Sequence, residues 1–439
     1  MSTIFIGIGS NQGNKTENIA AAYQLLSPAV KIKRISPFYI TEPWGYHDQD
    51  DFLNGVWEAE TQLSPEDLLL YFKRIESRIG RIKNFRNGPR LIDLDILLYD
   101  DLLYETPELT IPHSRISERR FVLQPLCALI PDQKNPRTGK TWKELLNQAP
   151  DERVSLYRGP INLDTPVIRW GLRTYLMGII NLTPDSFSGD GLIKNSQSNI
   201  ISETIKIAEN HLVHGADILD LGAESTRPGS VPISEKEELN RLIPSLKTIR
   251  KEFPHALISV DTQKSAVAEQ AINCGADWIN DVGAGINDKR TLQCIVGNDH
   301  KIVLMRNKPL FSNNNPILSS DKIVERIRSE LLQIIDNAQR SGITHEQIIL
   351  DPGIGFGSTA AIDMEIIRRL KDFYDLGYPI LIGPSRKSFI GKYLNQKVED
   401  RLAGTSAAVI SGIINHADII RVHDVEFMYD LIRMTNLFQ

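Results

Sequence analysis

Residues 257–283, LISVDTQKSAVAEQAINCGADWINDVG, hold a short apolar strand ending on Asp261, a helix-like stretch, and a second apolar strand ending on Asn280 and Asp281. Two strands joined through a helical crossover pair in parallel. The unit recurs in both directions along the chain. Upstream lie YLMGIIN (175–181) and DILDLG (217–222); downstream lie KIVLMR (301–306), IILDPG (348–353), PILIGPS (379–385) and DIIRVHD (418–424), each followed by a helix-like stretch. Eight such strands in about 265 residues give the alternation of a TIM (β/α)8 barrel.

The strand ends and the loops after them carry Asn181, Asp220 with Glu224, Asp261, Asn280 with Asp281, Arg306, Asp351, Ser385 with Lys387, and Arg421 with His423. In a barrel these ends converge on one face, where active sites of this fold sit. Loops are polar in any protein, but that does not account for amides, carboxylates and cations brought to one rim. Arg421 and His423 are two apart on strand eight and point to one side, with Asn181 of strand one as their neighbour once the barrel closes.

Ahead of the barrel a different pattern runs. The strand IFIGIGS is followed by a helix over about residues 15 to 29, then IKRISPFYIT and FLNGVWEAETQL. A second helix is capped by Ser64, with Pro65 in first position and Glu66 and Asp67 in the first turn, and the strand IDLDILLYD follows it. The order βαββαβ predicts a ferredoxin-like α+β domain. Around residues 150 to 173 periodicity dissolves among three prolines. This places a first domain at 1–155, a linker at 156–172 and the barrel domain at 173–439.

The 439 residues carry a net charge of -5, with 41% hydrophobic and 24% charged residues, an ordinary globular composition. The charge gives no footprint for nucleic acid. The three cysteines, Cys127, Cys274 and Cys294, lack CxxC spacing, which argues against a zinc site or a disulfide framework. No segment approaches the 18 or so apolar residues of a membrane span, and the expected compartment is the cytoplasm.

In IDLDILL, Asp93 and Asp95 project from one strand face while Ile92, Leu94 and Ile96 project from the other. Crowded carboxylates repel unless a cation lies between them, and magnesium takes one or two carboxylates plus water and substrate phosphates. A solvated edge strand would explain an isolated pair. Here Arg81, Lys83, Arg86 and Arg90 precede it on one loop, and guanidinium forks match phosphate oxygens. Phe52 and Phe121 supply aromatic walls, and Asn54 an amide, for a flat heterocycle. No GxxxxGK[ST] sequence indicates a P-loop.

The stretches GSNQGN, TEPWGYHDQDDFLN, GPRLIDLDIL and LTIPHSRISERRFVLQPL together resemble 6-hydroxymethyl-7,8-dihydropterin pyrophosphokinase over roughly residues 3 to 150. The resemblance implies ATP as co-substrate and two magnesium ions on Asp93 and Asp95. It assigns Arg81, Arg90, His113 and Arg119 to phosphates, Phe52 and Phe121 to a pterin sandwich, and Thr41 and Asn54 to the pterin's polar edge. Many members have tryptophan where this chain has Asn87, which bears on Arg86 and the closing of that loop.

MGIINLTPDSFSGDG, DLGAESTRPGS, ISVDTQKS, INDVGAG, LDPGIGFG, GPSRKSFIG and RVHDV, in that order, resemble dihydropteroate synthase over residues 174 to 439. The resemblance implies that Asp261, Asn280 and Asp351 read the pyrimidine edge of a pterin beside the Lys387 cation. Arg421 and His423 would bind a diphosphate leaving group, with magnesium near Asn181. Asp185 would support a cationic methylene, while Thr226, Arg227, Pro228, Phe356 and Ser385 shape a p-aminobenzoate site. A homodimer through the barrel is what the family suggests. Two rivals explain less: a methyltransferase-type pterin barrel lacks the TRPG and SRKS elements, and a pterin-binding regulatory module has no need of both the Asp93/Asp95 and the Arg421/His423 pairs.

Overall fold

The structure is a computed structural model of the 439-residue chain. It describes all residues except 47, 82–87, 162, 164–167, 169, 172, 183–196, 225–231, 308–319 and 439, and the side chains of 197–199. Two compact units divide the chain at Ile168 and Arg169.

The first unit contains β1 (Ser2–Ser10), α1 (Lys15–Leu26), β2 (Val30–Ile35), β3 (Tyr39–Thr41), β4 (Phe52–Thr61), α2 (Pro65–Arg78) and β5 (Asp93–Tyr99). There follow β6 (Tyr104–Glu105), β7 (Thr110–Ile111), α3 (Arg120–Leu129), α4 (Trp142–Gln148) and β8 (Val154–Leu156). The main sheet is antiparallel in the order β5-β1-β4-β3-β8, with β2 also on β4. This is the ferredoxin-like arrangement with an added edge strand. IKRISPFYIT forms two strands rather than one: β2 and β3 lie against successive lengths of β4, and Pro37, which has no N–H to give a ladder, falls in the break. Helix α2 starts as its residues dictate, with Ser64 Oγ accepting from Asp67 N at 3.1 Å.

Side-chain alternation gives the sheet two dressed faces. Ile4, Ile6, Ile8, Leu94 and Ile96 pack beneath α1 and α2 with Ile19, Leu26, Leu68 and Phe72. Phe5, Val56 and Leu97 pack against Leu123 and Leu126 of α3 and Trp142 and Leu145 of α4. Asp93 and Asp95 fall on this second face.

The second unit alternates throughout. Its strands are β9 (Tyr175–Asn181), β10 (Ile218–Gly222), β11 (Leu257–Asp261), β12 (Trp278–Asp281), β13 (Lys301–Met305), β14 (Ile348–Asp351), β15 (Leu381–Ile382) and β16 (Ile419–Val422). Between them run α5 (Gln197–Val213), α6 (Glu235–Glu252), α7 (Ser265–Asn273), α8 (Arg290–Gln293), α9 (Ser320–Arg340), α10 (Ala360–Arg368), α11 (Ser388–Leu394) and α12 (Leu402–Ile414), and α13 (Val425–Asn436) ends the unit. All eight strands are parallel, in the order β14-β13-β12-β11-β10-β9-β16-β15, and a parallel bridge from Leu350 to Ile380 joins the two ends. Every strand of the barrel expected from the sequence is present.

The chain after β8 stays on the first unit. Tyr157 N donates to Phe38 O at 2.8 Å, Gln24 Nε2 donates to Leu163 O at 3.2 Å, and Tyr157, Ile161 and Leu163 pack on the α1/α2 core. A fragment ending at residue 155 should therefore melt on the order of 5 °C below one ending at residue 168. Calorimetry of the two fragments checks this, and equal midpoints would mean that the tail adds nothing.

Candidate active sites

A cleft of about 90 Å³ opens on the α3/α4 face of the first sheet, lined among others by Thr41, Trp44, Phe52, Asn54, Arg90, Asp93, Asp95, Arg119 and Phe121. Its floor is made by the glycines of IFIGIGS. Gly9 pairs with Asn54 on one side and Asp93 on the other, and Gly7 pairs with Val56 and Asp95. A Cβ on Gly9 would lie 2.5 Å from Asn54 Oδ1, so only glycine lets the amide reach its place. From there Asn54 Nδ2 donates to Thr41 Oγ1 at 2.7 Å.

Asp93 is gripped by two cations, accepting from Arg81 Nη1 at 2.6 Å and Arg90 Nη1 at 2.5 Å. Burial opposes its charge, but Arg90, Arg81 and Lys73 outweigh burial and hold its pKa below the usual carboxylate range. Asp95 goes the other way, raised by burial first and by the neighbouring Asp93 second. Buried Glu76 joins the cluster, 2.6 Å from Arg81 Nη1 and accepting from Leu94 N at 2.9 Å. Asn11 steadies the approach, its Oδ1 accepting from Arg90 N at 2.8 Å and its Nδ2 donating to Asp50 O at 3.0 Å. Burial lowers the His113 imidazole, against the pull of Asp95.

Trp44 and the two glycines are cleft residues to which the sequence reading gave no role. The Arg115 and Arg119 guanidinium carbons stand 4.9 Å and 5.3 Å from the Trp44 ring centre, and Arg119 also lies 5.6 Å from that of Phe121. Arg119 Nε is buried with no hydrogen-bond partner among the described residues. A tryptophan inside TEPWG, a turn-rich segment between strands, was the available signal. Arg86 and Lys83 lie outside the described residues.

In the barrel, Arg421 of β16 reaches inward, with Nε donating to Asp220 Oδ2 at 2.5 Å and Nη2 to Asp261 Oδ2 at 3.0 Å. Asn280 Nδ2 donates to the same Asp220 oxygen at 3.3 Å. Asp220, a strand-end residue left without a role by the sequence reading, is thus central. Its other oxygen, Oδ1, is buried with no hydrogen-bond partner among the described residues.

His423 belongs to another group: its Nδ1 is 3.0 Å from Ser385 Oγ and its Nε2 is 3.5 Å from Asn181 Nδ2, the neighbour expected from barrel closure. Lys387 Nζ stands 4.2 Å over the Phe356 ring. Burial pushes Asp261 up to about 7 and Asp351 up to about 6, and it brings Lys387 down to about 8.

Two strand-end residues turn away from the mouth. Asp281 accepts from Gly283 N and Gly285 N, both at 2.7 Å, shaping its own loop, and fully buried Arg306 pairs with Glu330 of α9 at 2.6 Å. Asp185, Thr226, Arg227 and Pro228 lie outside the described residues.

Fold and sites together define a class: a two-unit enzyme with an arginine–aspartate cleft in one unit and a charged barrel mouth in the other. Residues 5–131 match the family model of the 7,8-dihydro-6-hydroxymethylpterin-pyrophosphokinase, and residues 177–423 match that of the pterin binding enzymes. The folate synthesis bifunctional protein of Arabidopsis thaliana is 37% identical over 463 residues, which cover 98% of this chain and 95% of that protein. The folic acid synthesis protein fol1 of Schizosaccharomyces pombe is 40% identical over 443 residues, but this chain spans only 58% of its length. A crystal structure of dihydropteroate synthase from Clostridium difficile, in the presence of pteroic acid, superposes with a TM-score of 0.56 at 40% identity, covering 62% of this chain and 99% of that one. The chain belongs to the family of bifunctional folate synthesis proteins, which join a pyrophosphokinase unit to a pterin-binding barrel.

Two outcomes follow from the geometry. Gly9→Ala forces Asn54 off Thr41 and should cost about 1–3 kcal/mol of stability together with heterocycle binding in the first unit, read by thermal melts and a binding titration; unchanged binding would remove Asn54 from the site. For Asp261 the folded pKa of about 7 lies above the ordinary value, so its contribution to stability is present at low pH and is lost as pH rises through 7. Asp261→Asn stays neutral, and the ligand-free variant should lose less melting temperature between pH 5 and pH 8 than the parent does.

Proposed function

We propose that the first unit transfers the diphosphate of ATP to the hydroxymethyl oxygen of 6-hydroxymethyl-7,8-dihydropterin, releasing AMP, and that the barrel joins the product to p-aminobenzoate. The products of the second step are 7,8-dihydropteroate and diphosphate. The observation that carries this is the pairing, in one chain, of the Arg81–Asp93–Arg90 cluster beside Asp95 with the Asp220–Arg421–Asp261 cluster in the barrel mouth.

In the first unit Phe52 and Phe121 hold the pterin ring, and Thr41 and Asn54 bond its edge. Asp93 and Asp95 would hold magnesium, whose role is to neutralise the phosphates and polarise the phosphoryl group in transfer. The donor set fits that ion. Two carboxylates share one strand face beside the arginines that face the phosphates, the donor set magnesium takes with substrate phosphates and water. Arg81, Arg90 and Arg119, whose Nε has no hydrogen-bond partner among the described residues, supply cations to the phosphates, with His113 beside them. The P–O bond to AMP breaks as the hydroxymethyl oxygen bonds to phosphorus and gives up its proton.

In the barrel Asp261, Asn280 and Asp351 address the pyrimidine edge, with the Lys387 cation beside the ring. His423, Arg421 and Asn181 take the diphosphate as the C–O bond breaks with both electrons leaving on oxygen, and a magnesium ion near Asn181 belongs to the same reading. Asp185 supports the methylene cation. The aniline nitrogen then forms the C–N bond and loses a proton, with Phe356, Ser385, Thr226, Arg227 and Pro228 shaping its site. No strong base is needed, because the electrophile drives the step.

The partners are small molecules, with a homodimer formed through the barrel and the cytoplasm as the working compartment. No helix among the described residues is long and apolar enough to cross a membrane.

A coupled assay tests the reading, with AMP release measured first and dihydropteroate second. Asp95→Asn should cut AMP release roughly 100-fold or more and leave dihydropteroate formation from supplied pterin diphosphate unchanged. Near-normal AMP release would remove the metal pair from the mechanism. A sulfonamide, matching p-aminobenzoate in ring, amine and acidic tail, should compete with it in the second step and spare the first; noncompetitive inhibition would sink the assigned pocket.

A further inference from the structure

Asp363 has no part in the steps above, and its surroundings give it one. It lies in α10, 2% exposed. Its Oδ1 accepts from Gly355 N at 2.8 Å and also from Ser358 Oγ. Those two residues bracket Phe356, whose ring carries Lys387 Nζ at 4.2 Å.

The turn between is tightly specified. Gly355 has φ +80°, and a Cβ there would stand 2.9 Å from Lys387 Cδ. Upstream, Gly353 N donates to Asp351 Oδ1 at 2.8 Å, and a Cβ on Gly353 would overlap the Arg306 carbonyl oxygen at 1.9 Å. Asp351, the glycine turn, Phe356 and Lys387 are therefore one packed assembly, and Asp363 holds the end that Asp351 does not.

We infer that Asp363 is a positioning residue of the barrel site, fixing residues 355–358 so that Phe356 meets Lys387 and lending its negative charge to keep Lys387 a cation. The inference rests on reading the barrel as a synthase.

Among the described residues, the charged groups that act most on Lys387 are Asp351 of β14, Arg421 of β16, Asp363 of α10 and Asp261 of β11. Asp363 in turn faces Lys387 and Arg306. Burial brings Lys387 down to about 8, and Asp351, Asp363 and Asp261 oppose that fall. Without the Asp363 charge, Lys387 loses its proton at lower pH.

The test is the pH profile of kcat/KM for the full chain supplied with pterin diphosphate and p-aminobenzoate. Lys387→Arg should flatten the alkaline limb of the parent, which identifies the titrating group. Asp363→Asn keeps an acceptor for Gly355 N without the charge, and should move that limb to lower pH by roughly half a unit to one unit while plateau activity stays within a few-fold. Asp363→Ala also loses the acceptor and should raise the KM for p-aminobenzoate about 10-fold; if it fails to fold, the asparagine variant still decides. An alkaline limb unmoved in Asp363→Asn, or absent from the parent, overturns the role of Asp363. A parent chain that makes no dihydropteroate takes the synthase reading down with it, which separates the two failures.

Discussion

The barrel mouth is organised around one guanidinium that answers two buried carboxylates. Arg421 on β16 bonds Asp220 on β10 and Asp261 on β11, crossing the interior between strands that are not neighbours in sequence. An ion left alone in such a place costs several kcal/mol, so all three must arrive together. Their meeting needs the strand ends level: Asp220 sits opposite Ser259, Gly222 opposite Asp261, and Arg421 opposite Met177. A slip of one residue in any of these pairings would turn the charged side chains to the other face. Asn280 then takes its place on Asp220, and the excess of acid over base around one cation is part of why Asp261 holds its proton so far above the ordinary range.

The first unit solves the same problem in reverse, with one carboxylate between two guanidiniums. Arg81 and Arg90 neutralise Asp93. Under the proposed chemistry the same two guanidiniums would face the polyphosphate, and Asp93 with Asp95 would hold magnesium, which would supply charge neutralisation there. Glu76 is bound by Lys73 and the Leu94 amide as well as by Arg81.

Much of this was legible in the chain. Apolar runs ending in Asp, Asn or Arg and spaced by helical stretches specify parallel strands, and eight of them in about 265 residues fit a closed barrel, which brings all eight ends to one rim. DLD on a strand places two carboxylates on one face whatever surrounds them. What stayed hidden depends on packing across distance. IKRISPFYIT looks continuous, yet Pro37 divides it between two lengths of β4. Arg306 ends a strand as an active-site residue would, yet its partner Glu330 comes from a helix 24 residues on. Asp281 and Asp220 look equivalent in sequence. One caps its own glycine loop and the other meets Arg421, because the register levels Gly222 with Asp261 and Asp261 with Asn280, which turns Asp220 inward and leaves Asp281 on the other face.

The floor of the first cleft has a consequence for selection. A flat ligand lying over Gly7 and Gly9, as proposed, would meet main chain there rather than a side chain of those two residues. Under the proposed function, a cell under pressure from a planar inhibitor lying there has little room for escape at these two positions: any replacement adds at least a Cβ, and at position 9 that atom displaces the Asn54 amide proposed to bond the pterin edge. Resistance would have to arise at the walls or the rim, at Trp44, Phe52 or Phe121. Compounds whose contacts are drawn mostly from the glycine floor should therefore keep their potency longer than those that lean on the aromatic walls.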